Sequence, residues 1–323
     1  MSPYEEPAST FAKPPGVISI VTPAHNEEAN LPLLYEQLQQ HLDPLGVAWE
    51  WILVDDHSSD GTLEAFKKLA AGDARLRGFR LSRNYGSHRA LLCGLRESRG
   101  DAAVVLAADL QDPPSLIPQL VERWQQGIQL CWAVRAQPPS LSSRLFYRLM
   151  KGFVGLAEMP AAGADFFLAD RRVLEALRQF RESNVNLFAL LCSLGFRQGQ
   201  IEYHKEARQH GRSSWTLAQK VKLLIDSVLA FTYLPIRCMT AFGFLVGCGG
   251  FAYANLVVYN YIQGSPTPGW SSLMVVVLLL GGSQMMMLGM LGEYLWRCLD
   301  ESRQRPHYLV EQVVLGGPPT SDE

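Results

Sequence analysis

Residues 238 to 292 include no Asp, Glu, Lys, Arg or His, an uncharged run of 55 residues. No other feature restricts the possible folds so strongly. The run divides into two apolar stretches, about 238–262 and 270–292, joined by the turn Gln263-Gly-Ser-Pro-Thr-Pro-Gly269. A helix needs about 20 apolar residues to cross a hydrocarbon core of about 30 Å, and each stretch suffices. Two buried helices of a soluble domain would seldom run so long without a charge, so a membrane hairpin is expected. Lys220, Lys222 and Arg237 precede it and Arg297, Arg303 and Arg305 follow, while the connecting turn is uncharged. Cationic flanks stay on the cytoplasmic side. Both termini and the N-terminal region are therefore expected in the cytoplasm, with the chain integral to the cell inner membrane. Glycines at 243, 247, 249 and 250, and at 281, 282, 289 and 292, allow close helix packing.

The flanks of this hairpin are read as follows. Residues 1–15, rich in acids, prolines, Ser and Thr, read as a disordered lead-in without the apolar core of a signal peptide. Within 214–235, Leu217, Val221, Leu224, Ile225, Val228 and Leu229 repeat at helical spacing. Directly before a span, such a segment is expected to lie at the interface, with Trp215 and Tyr233 near the headgroups; a core helix is the alternative. Residues 297–323 read as a cytoplasmic tail. The 29 basic and 31 acidic residues leave a formal charge of −2, which argues against a nucleic-acid partner. Six scattered cysteines without a C-x-x-C pair point to a reduced compartment and no structural zinc.

Between residues 16 and 126, strand, polar turn and helix recur four times. The apolar strands are expected at 17–21, 49–54, 76–81 and 102–108, and the helices near 30–41, 62–69, 89–98 and 116–126. This rhythm predicts an α/β fold, a mostly parallel Rossmann-like sheet with helices on both faces. Every polar turn then meets at one sheet edge, where such folds bind ligands. No G-x-G-x-x-G and no P-loop glycine pattern is present. Carboxylates stand there instead: Glu27 after the first strand, Asp55 and Asp56 after the second. They suit a ribose hydroxyl or a base N–H, although the second turn also reads as a loop with Asp60 or Ser58 capping the next helix.

The fourth strand runs into Asp109-Leu-Gln111-Asp112-Pro-Pro114. Hard cations such as Mg²⁺ and Mn²⁺ take carboxylate and carbonyl oxygens together with substrate phosphates. Asp109, Gln111 and Asp112 thus form a candidate metal–diphosphate site, with Asp109 and Gln111 as the metal ligands, alone or joined by Asp112; the alternative is an acidic turn capping the helix near Ser115. A further strand, 130–134, ends at Arg135, followed by Arg144, Arg148 and Lys151 on a mostly apolar segment that could equally be a solvated basic face. Asp165 lies among small and aromatic residues, where an unpaired acid would have a raised pKa; alternatively it caps a helix beginning at Arg171. The basic loop around Arg208, reaching Ser213, could close over a diphosphate.

Together these segments resemble the GT-A-fold glycosyltransferases of family 2, specifically the polyprenyl-phosphate glycosyltransferases. The matching residues are Pro23-Ala-His-Asn-Glu27-Glu28, Val54-Asp-Asp-His-Ser-Ser-Asp-Gly-Thr62, Ser82-Arg-Asn-Tyr-Gly86, Asp109-Leu-Gln-Asp-Pro-Pro114 and Arg208-x-x-Gly211-x-Ser213. Gly292-Glu-Tyr-Leu295 through Arg305-Pro-His-Tyr308 resembles the family's ending. Two departures stand out: Ala107 replaces the first acid of the usual Asp-x-Asp, and Ser214 stands where a lysine is common.

The resemblance implies a GT-A catalytic domain over 16–213 that moves a sugar from a UDP- or GDP-linked donor to polyprenyl (undecaprenyl) phosphate, with inversion. Glucose is the expected sugar, although mannose, galactose and modified pentoses share the motifs. It places Pro23, His25, Asn26, Glu27, Asp55, Asp56, Asn84 and Ala108 on the nucleotide-sugar side. Arg135, Arg144, Arg208 and Ser213 fall near acceptor or diphosphate, and Asp165 at the reaction centre. It also implies Mg²⁺ or Mn²⁺ and a homotetramer. A processive polysaccharide synthase would want Q-x-x-R-W, and Arg123-Trp124 lacks the correctly spaced glutamine. An inactive scaffold of the same fold is the remaining rival.

Overall fold

The computed structural model describes residues 16–136, 166–180, 187–204, 234–263 and 269–317. Two units emerge, one comprising Met1–Arg181, Val185–Leu224 and Pro306–Glu323, the other Glu182–Asn184 and Ile225–Arg305.

The first unit is built on an eight-stranded sheet. Its strands are β1 (Val17–Ala24), β2 (Ala48–Asp55), β3 (Leu76–Leu81), β4 (Ala102–Val105), β5 (Leu130–Arg135), β6 (Phe166–Asp170), β7 (Gln198–Tyr203) and β8 (Val310–Leu315). They lie in the order β7-β5-β6-β4-β1-β2-β3-β8. Pairings β1–β2, β1–β4, β2–β3 and β5–β7 are parallel; β6 runs antiparallel to both β4 and β5, and β8 antiparallel to β3. The sheet is thus Rossmann-like but mixed. Helices α1 (Leu31–Leu42), α2 (Thr62–Ala70), α3 (Ser87–Glu97), α4 (Ile117–Gln125), α5 (Arg171–Gln179) and α6 (Leu187–Ser193) complete the described part of this unit.

β1 and β2 are buried along almost their whole length and show no polar alternation, as strands covered on both faces must be. Trp51 is fully buried. It stacks on Tyr35 at 5.8 Å, meets Phe66 edge-on at 5.4 Å, and donates from Nε1 to Thr22 Oγ1 at 3.0 Å. Leu31, Leu34 and Leu38 form the buried face of α1. On α3, a Cβ at Gly94 would lie 2.3 Å from Val21 Cγ1. Only glycine lets that helix approach the sheet so closely.

β1 continues three residues past its expected end, through Pro23. Val21 offers its carbonyl to Leu106 N, whereas Ala24 bonds Asp56 N on the β2 side. Backbone groups alternate in direction along a strand, so the donor that Pro23 lacks would face β4, whose ladder has already ended. β4 is shorter than expected: Leu106 and Ala108 are buried, but the strand stops at Val105. Burial there reflects packing of the following turn, not ladder pairing. Asp170 caps α5, accepting from Arg172 N at 2.8 Å, so Asp165 is not that helix's cap.

The second unit contains α7 (Leu234–Ile262, 29 residues) and α8 (Trp270–Arg303, 34 residues). Its candidate spans, Ile236–Asn260 and Leu273–Arg303, have mean hydropathies of 1.7 and 2.0. Phe244, Leu245, Phe251, Leu279 and Met285 are among the large apolar side chains they expose. Helices apolar all round require apolar surroundings. The two helices approach where a Cβ at Gly243 would lie 3.5 Å from Met287 Cε. α8 outlasts the uncharged stretch by three turns, in which Arg297 pairs with Glu293 at 3.1 Å. The expected lead-in and most of the expected interfacial segment fall outside the described residues.

Candidate active site

Each of the first four strands feeds a loop containing one residue with positive φ. These are Asn26 at 58°, His57 at 57°, Gly86 at 91° and Leu110 at 57°. A left-handed backbone costs a non-glycine residue roughly 1–2 kcal/mol, and such strain gathers at functional edges. Among the described residues, only Gln304 is a further non-glycine of this kind.

The first two loops are stitched together. Asn26 N donates to Ser58 Oγ at 2.9 Å, Glu27 N to Thr62 Oγ1 at 2.9 Å, and Glu28 N to Asp60 Oδ2 at 3.3 Å. In return, Ser59 N donates to Asn26 Oδ1 at 2.9 Å and Gly61 N to Glu28 Oε2 at 3.0 Å. Glu27 accepts from Asn30 Nδ2 at 2.5 Å. His25 Nδ1 lies 2.9 Å from the Asp56 carbonyl, which can only accept, so Nδ1 carries the proton. Asn84 Nδ2 then reaches His25 Nε2 at 3.3 Å, linking the third loop to the first.

Asp55 and Asp56 are both buried. Asp55 accepts from Ser58 N at 2.9 Å and pairs with Arg80 Nη1 at 3.1 Å. Asp56 gives one oxygen to Tyr85 N at 2.7 Å and the other to Gly86 N at 2.8 Å. Burial pushes its pKa up, against the pull of those two amides. Both acids therefore shape the rim as well as lining it. Asp60 supports α2 from just before its first turn, accepting from Thr62 N at 3.0 Å. A cavity of about 690 Å³ lies beside this edge, lined by Asn26, Glu27, Glu28, Asp60, Glu64 and Lys68 among others.

In the fourth loop, Ala108 and Asp109 are buried and Asp109 Oδ1 accepts from Gln111 N at 3.2 Å. Asp112, also buried, accepts a hydrogen bond from the Tyr203 hydroxyl. Tyr203 ends β7 directly opposite Arg135, the last residue of β5. Burial, and then the negative charge of Asp112, holds its phenol well above the usual tyrosine range, with Arg135 acting in the opposite direction. Asp112, Tyr203 and Arg135 are thus neighbours.

The two acids of this turn consequently differ. Asp109 and the Gln111 amide offer two hard oxygens on a tight turn, a donor set that fits Mg²⁺ or Mn²⁺ completed by phosphate oxygens. Asp112 gives one oxygen, Oδ1, to the Tyr203 hydroxyl. No group of three His, Cys, Asp or Glu side chains suited to a metal occurs among the described residues.

Of the other expected site residues, Pro23, His25, Asn26, Glu27, Asp55, Asp56 and Asn84 lie at this edge, and Arg135 at the end of β5. Asp165, Arg144, Arg208 and Ser213 lie outside the described residues, as do Arg148 and Lys151. Sequence reasoning did not single out Tyr203 or Arg80. Tyr203 ends a short strand just before a basic loop, and that position was its one available signal.

Comparison with known proteins agrees with this architecture. The profile of the family described as "Glycosyl transferase family 2" matches residues 19–178. An "Undecaprenyl-phosphate 4-deoxy-4-formamido-L-arabinose transferase" of Pseudomonas aeruginosa is 33% identical over 314 residues, covering 94% of this chain and 92% of that protein. The "SfII prophage-derived bactoprenol glucosyl transferase" of Shigella flexneri is 32% identical over 311 residues, covering 93% and 99%. Among solved structures, glucosyl-3-phosphoglycerate synthase from Mycobacterium tuberculosis, crystallised with Mn²⁺, UDP and phosphoglyceric acid, matches with a TM-score of 0.51. It is 20% identical, with 73% of this chain and 84% of that one covered, a likeness of fold.

Proposed function

The chain belongs to glycosyl transferase family 2, and from that premise we propose that it moves a sugar from a nucleotide diphosphate sugar to the phosphate of a polyprenyl lipid at the membrane surface, inverting the anomeric carbon. The observation that carries this reading is the reach of the similarity. Relatives named for undecaprenyl phosphate and bactoprenol align over more than nine-tenths of this chain, too much to leave out both apolar helices. A transferase of this family joined to two candidate spans is suited to an acceptor that never leaves the bilayer. Glucose, the sugar in the name of the bactoprenol relative, is the proposed sugar, with UDP or GDP as the proposed carrier; the L-arabinose relative is as similar.

The site residues divide between donor and acceptor. Asp55, Asp56 and Asn84 face the nucleotide with Pro23, His25, Asn26 and Glu27, on loops fixed by mutual hydrogen bonds. Asp109 and Gln111 would hold Mg²⁺ or Mn²⁺, whose charge offsets that of the departing diphosphate. An oxygen of the lipid phosphate bonds to the anomeric carbon as the bond from that carbon to the diphosphate oxygen breaks. A phosphate monoester has a second pKa of about 6, so the acceptor is largely ionised and asks little of a general base. Asp165 is then assigned to orienting the sugar. Arg135, Arg144, Arg208 and Ser213 meet phosphate oxygens, for which arginine's planar fork is suited. Anchoring the site beside the headgroups supplies proximity.

Incubating membranes with labelled nucleotide sugars, with and without added polyprenyl phosphate, tests the reaction. One labelled glycolipid, dependent on the added lipid phosphate, is expected. Labelled polymer would identify a synthase instead, and no product from any donor would point to a scaffold.

The orientation makes a separate prediction. A reporter fused after Glu323 should be cytoplasmic, and one inserted at Pro266 should lie across the membrane. Signals from the same side at both positions would rule out the hairpin. Assembly as a tetramer, checked by native mass spectrometry, belongs to the same reading.

A further inference from the structure

The strand that follows both apolar helices returns to the sheet beside the nucleotide loops. β8 pairs with β3, Arg80 facing Gln312, and Leu309 accepts from Ser82 N at 2.9 Å. One residue before Gln312, Glu311 places Oε2 3.2 Å from Arg80 Nε and 3.7 Å from His57 Nδ1. The other end of the same guanidinium reaches inward. Its Nη1 lies 3.1 Å from Asp55 Oδ2, and its Nη2 donates to the Ser58 carbonyl at 3.2 Å. The Asp55 carboxylate is 1% exposed, that of Glu311 51%. Arg80 thus spans from a solvated acid on β8 to a buried acid at the nucleotide edge.

We infer that Glu311 is a positioning residue for donor binding, setting Arg80 so that Arg80 in turn fixes Asp55 and the turn at Ser58. This rests on the assignment of Asp55 to the nucleotide side. The energetics favour a role in geometry over one in stability. A half-exposed ion pair contributes little to folding, about 0–1 kcal/mol, whereas Arg80 is the cation paired with a buried carboxylate. A guanidinium held at Nε keeps its two outer nitrogens in the orientation that serves Asp55 and Ser58. Released at that end, it can swing on its flexible stem, and the nucleotide edge loses its fixed shape. Ser58 also receives Asn26 N, so the effect reaches the first loop.

The test uses the full chain in lipid nanodiscs and measures binding of the nucleoside diphosphate alone, together with the KM of each substrate. Glu311→Ala should weaken nucleotide binding about threefold and Arg80→Ala about tenfold or more, with the KM for polyprenyl phosphate little changed. Glu311→Gln, whose amide oxygen can still accept from Arg80 Nε, should recover part of the loss. The double variant should bind no worse than Arg80→Ala, because both changes act along one path. Melting of Glu311→Ala should match the parent. Asp55→Asn separates the two levels of argument. If it leaves nucleotide binding intact, the assignment of Asp55 is wrong. If it weakens binding while Glu311→Ala does not, or if Glu311→Ala lowers melting without moving nucleotide affinity, the relay from β8 is overturned.

Discussion

Replacing Asp109 by asparagine is expected to cut turnover by about a hundredfold to a thousandfold while leaving the fold intact. Asparagine keeps an oxygen for Gln111 N, which now sits 3.2 Å from Asp109 Oδ1, and matches aspartate in size. Only the charge is lost. A group aimed at developing charge in a water-poor site typically contributes about 10²–10³ in rate, and Asp109 is 7% exposed. EDTA should reproduce the loss in the parent protein, and added Mg²⁺ or Mn²⁺ should reverse it. Full activity in EDTA would remove the metal from the mechanism. Near-parent activity of Asp109→Asn would remove Asp109.

Three residues further on, Asp112→Ala should fail differently, by destabilising the protein. Its carboxylate is 1% exposed and accepts from the Tyr203 hydroxyl. Truncation leaves that buried hydroxyl without its acceptor and takes a negative charge from beside Arg135. Stranding a buried polar partner costs about 1–3 kcal/mol, more when a charge is involved. For a domain of this size, each kcal/mol moves Tm by roughly 2–4 °C. A fall of about 5–10 °C in detergent is expected, set against no change for Asp109→Asn. Tyr203→Phe should give a smaller fall. Combined with Asp112→Ala, it should cost less than the sum of the two, since both remove one hydrogen bond. An Asp112→Ala protein that melts normally yet is inactive would place Asp112 among the groups that meet the ligand.

The portion of the fold written in local pattern was readable from the chain. β1 and β2 announce themselves by apolar runs, β3 by a weaker one, and α1 by leucines at 31, 34 and 38. The uncharged stretch gave both long helices, though not the last three turns of α8, where charged residues continue a helix already begun. β6, β7 and β8 carried no comparable signal. β6 is a short apolar run wedged antiparallel between β4 and β5. β8 exposes Val310, Val313 and Leu315, and only a partner far upstream makes it a strand. The same division holds at the candidate site. That acids stand at strand ends follows from strand–turn–helix spacing. That Asp56 gives both oxygens to the amides of Tyr85 and Gly86, or that Asp112 meets Tyr203, depends on loops brought together by the sheet order.

The position of β8 also has a consequence for how the protein is made. Arg80 and Glu311 are hydrogen-bonded across the β3–β8 pair but stand 231 residues apart in the chain, with both apolar helices encoded between them. At about 5–20 residues per second, a ribosome needs roughly 10 to 50 seconds to deliver Glu311 after Arg80 has emerged. Throughout that interval β3 presents a bare edge, the kind of surface to which foreign strands add. The catalytic sheet cannot be completed until both apolar helices have been synthesised, so a chain interrupted between them leaves an open-edged sheet as a substrate for chaperones and proteases. Placing the edge strand after the two apolar helices thereby ties completion of the sheet to their synthesis.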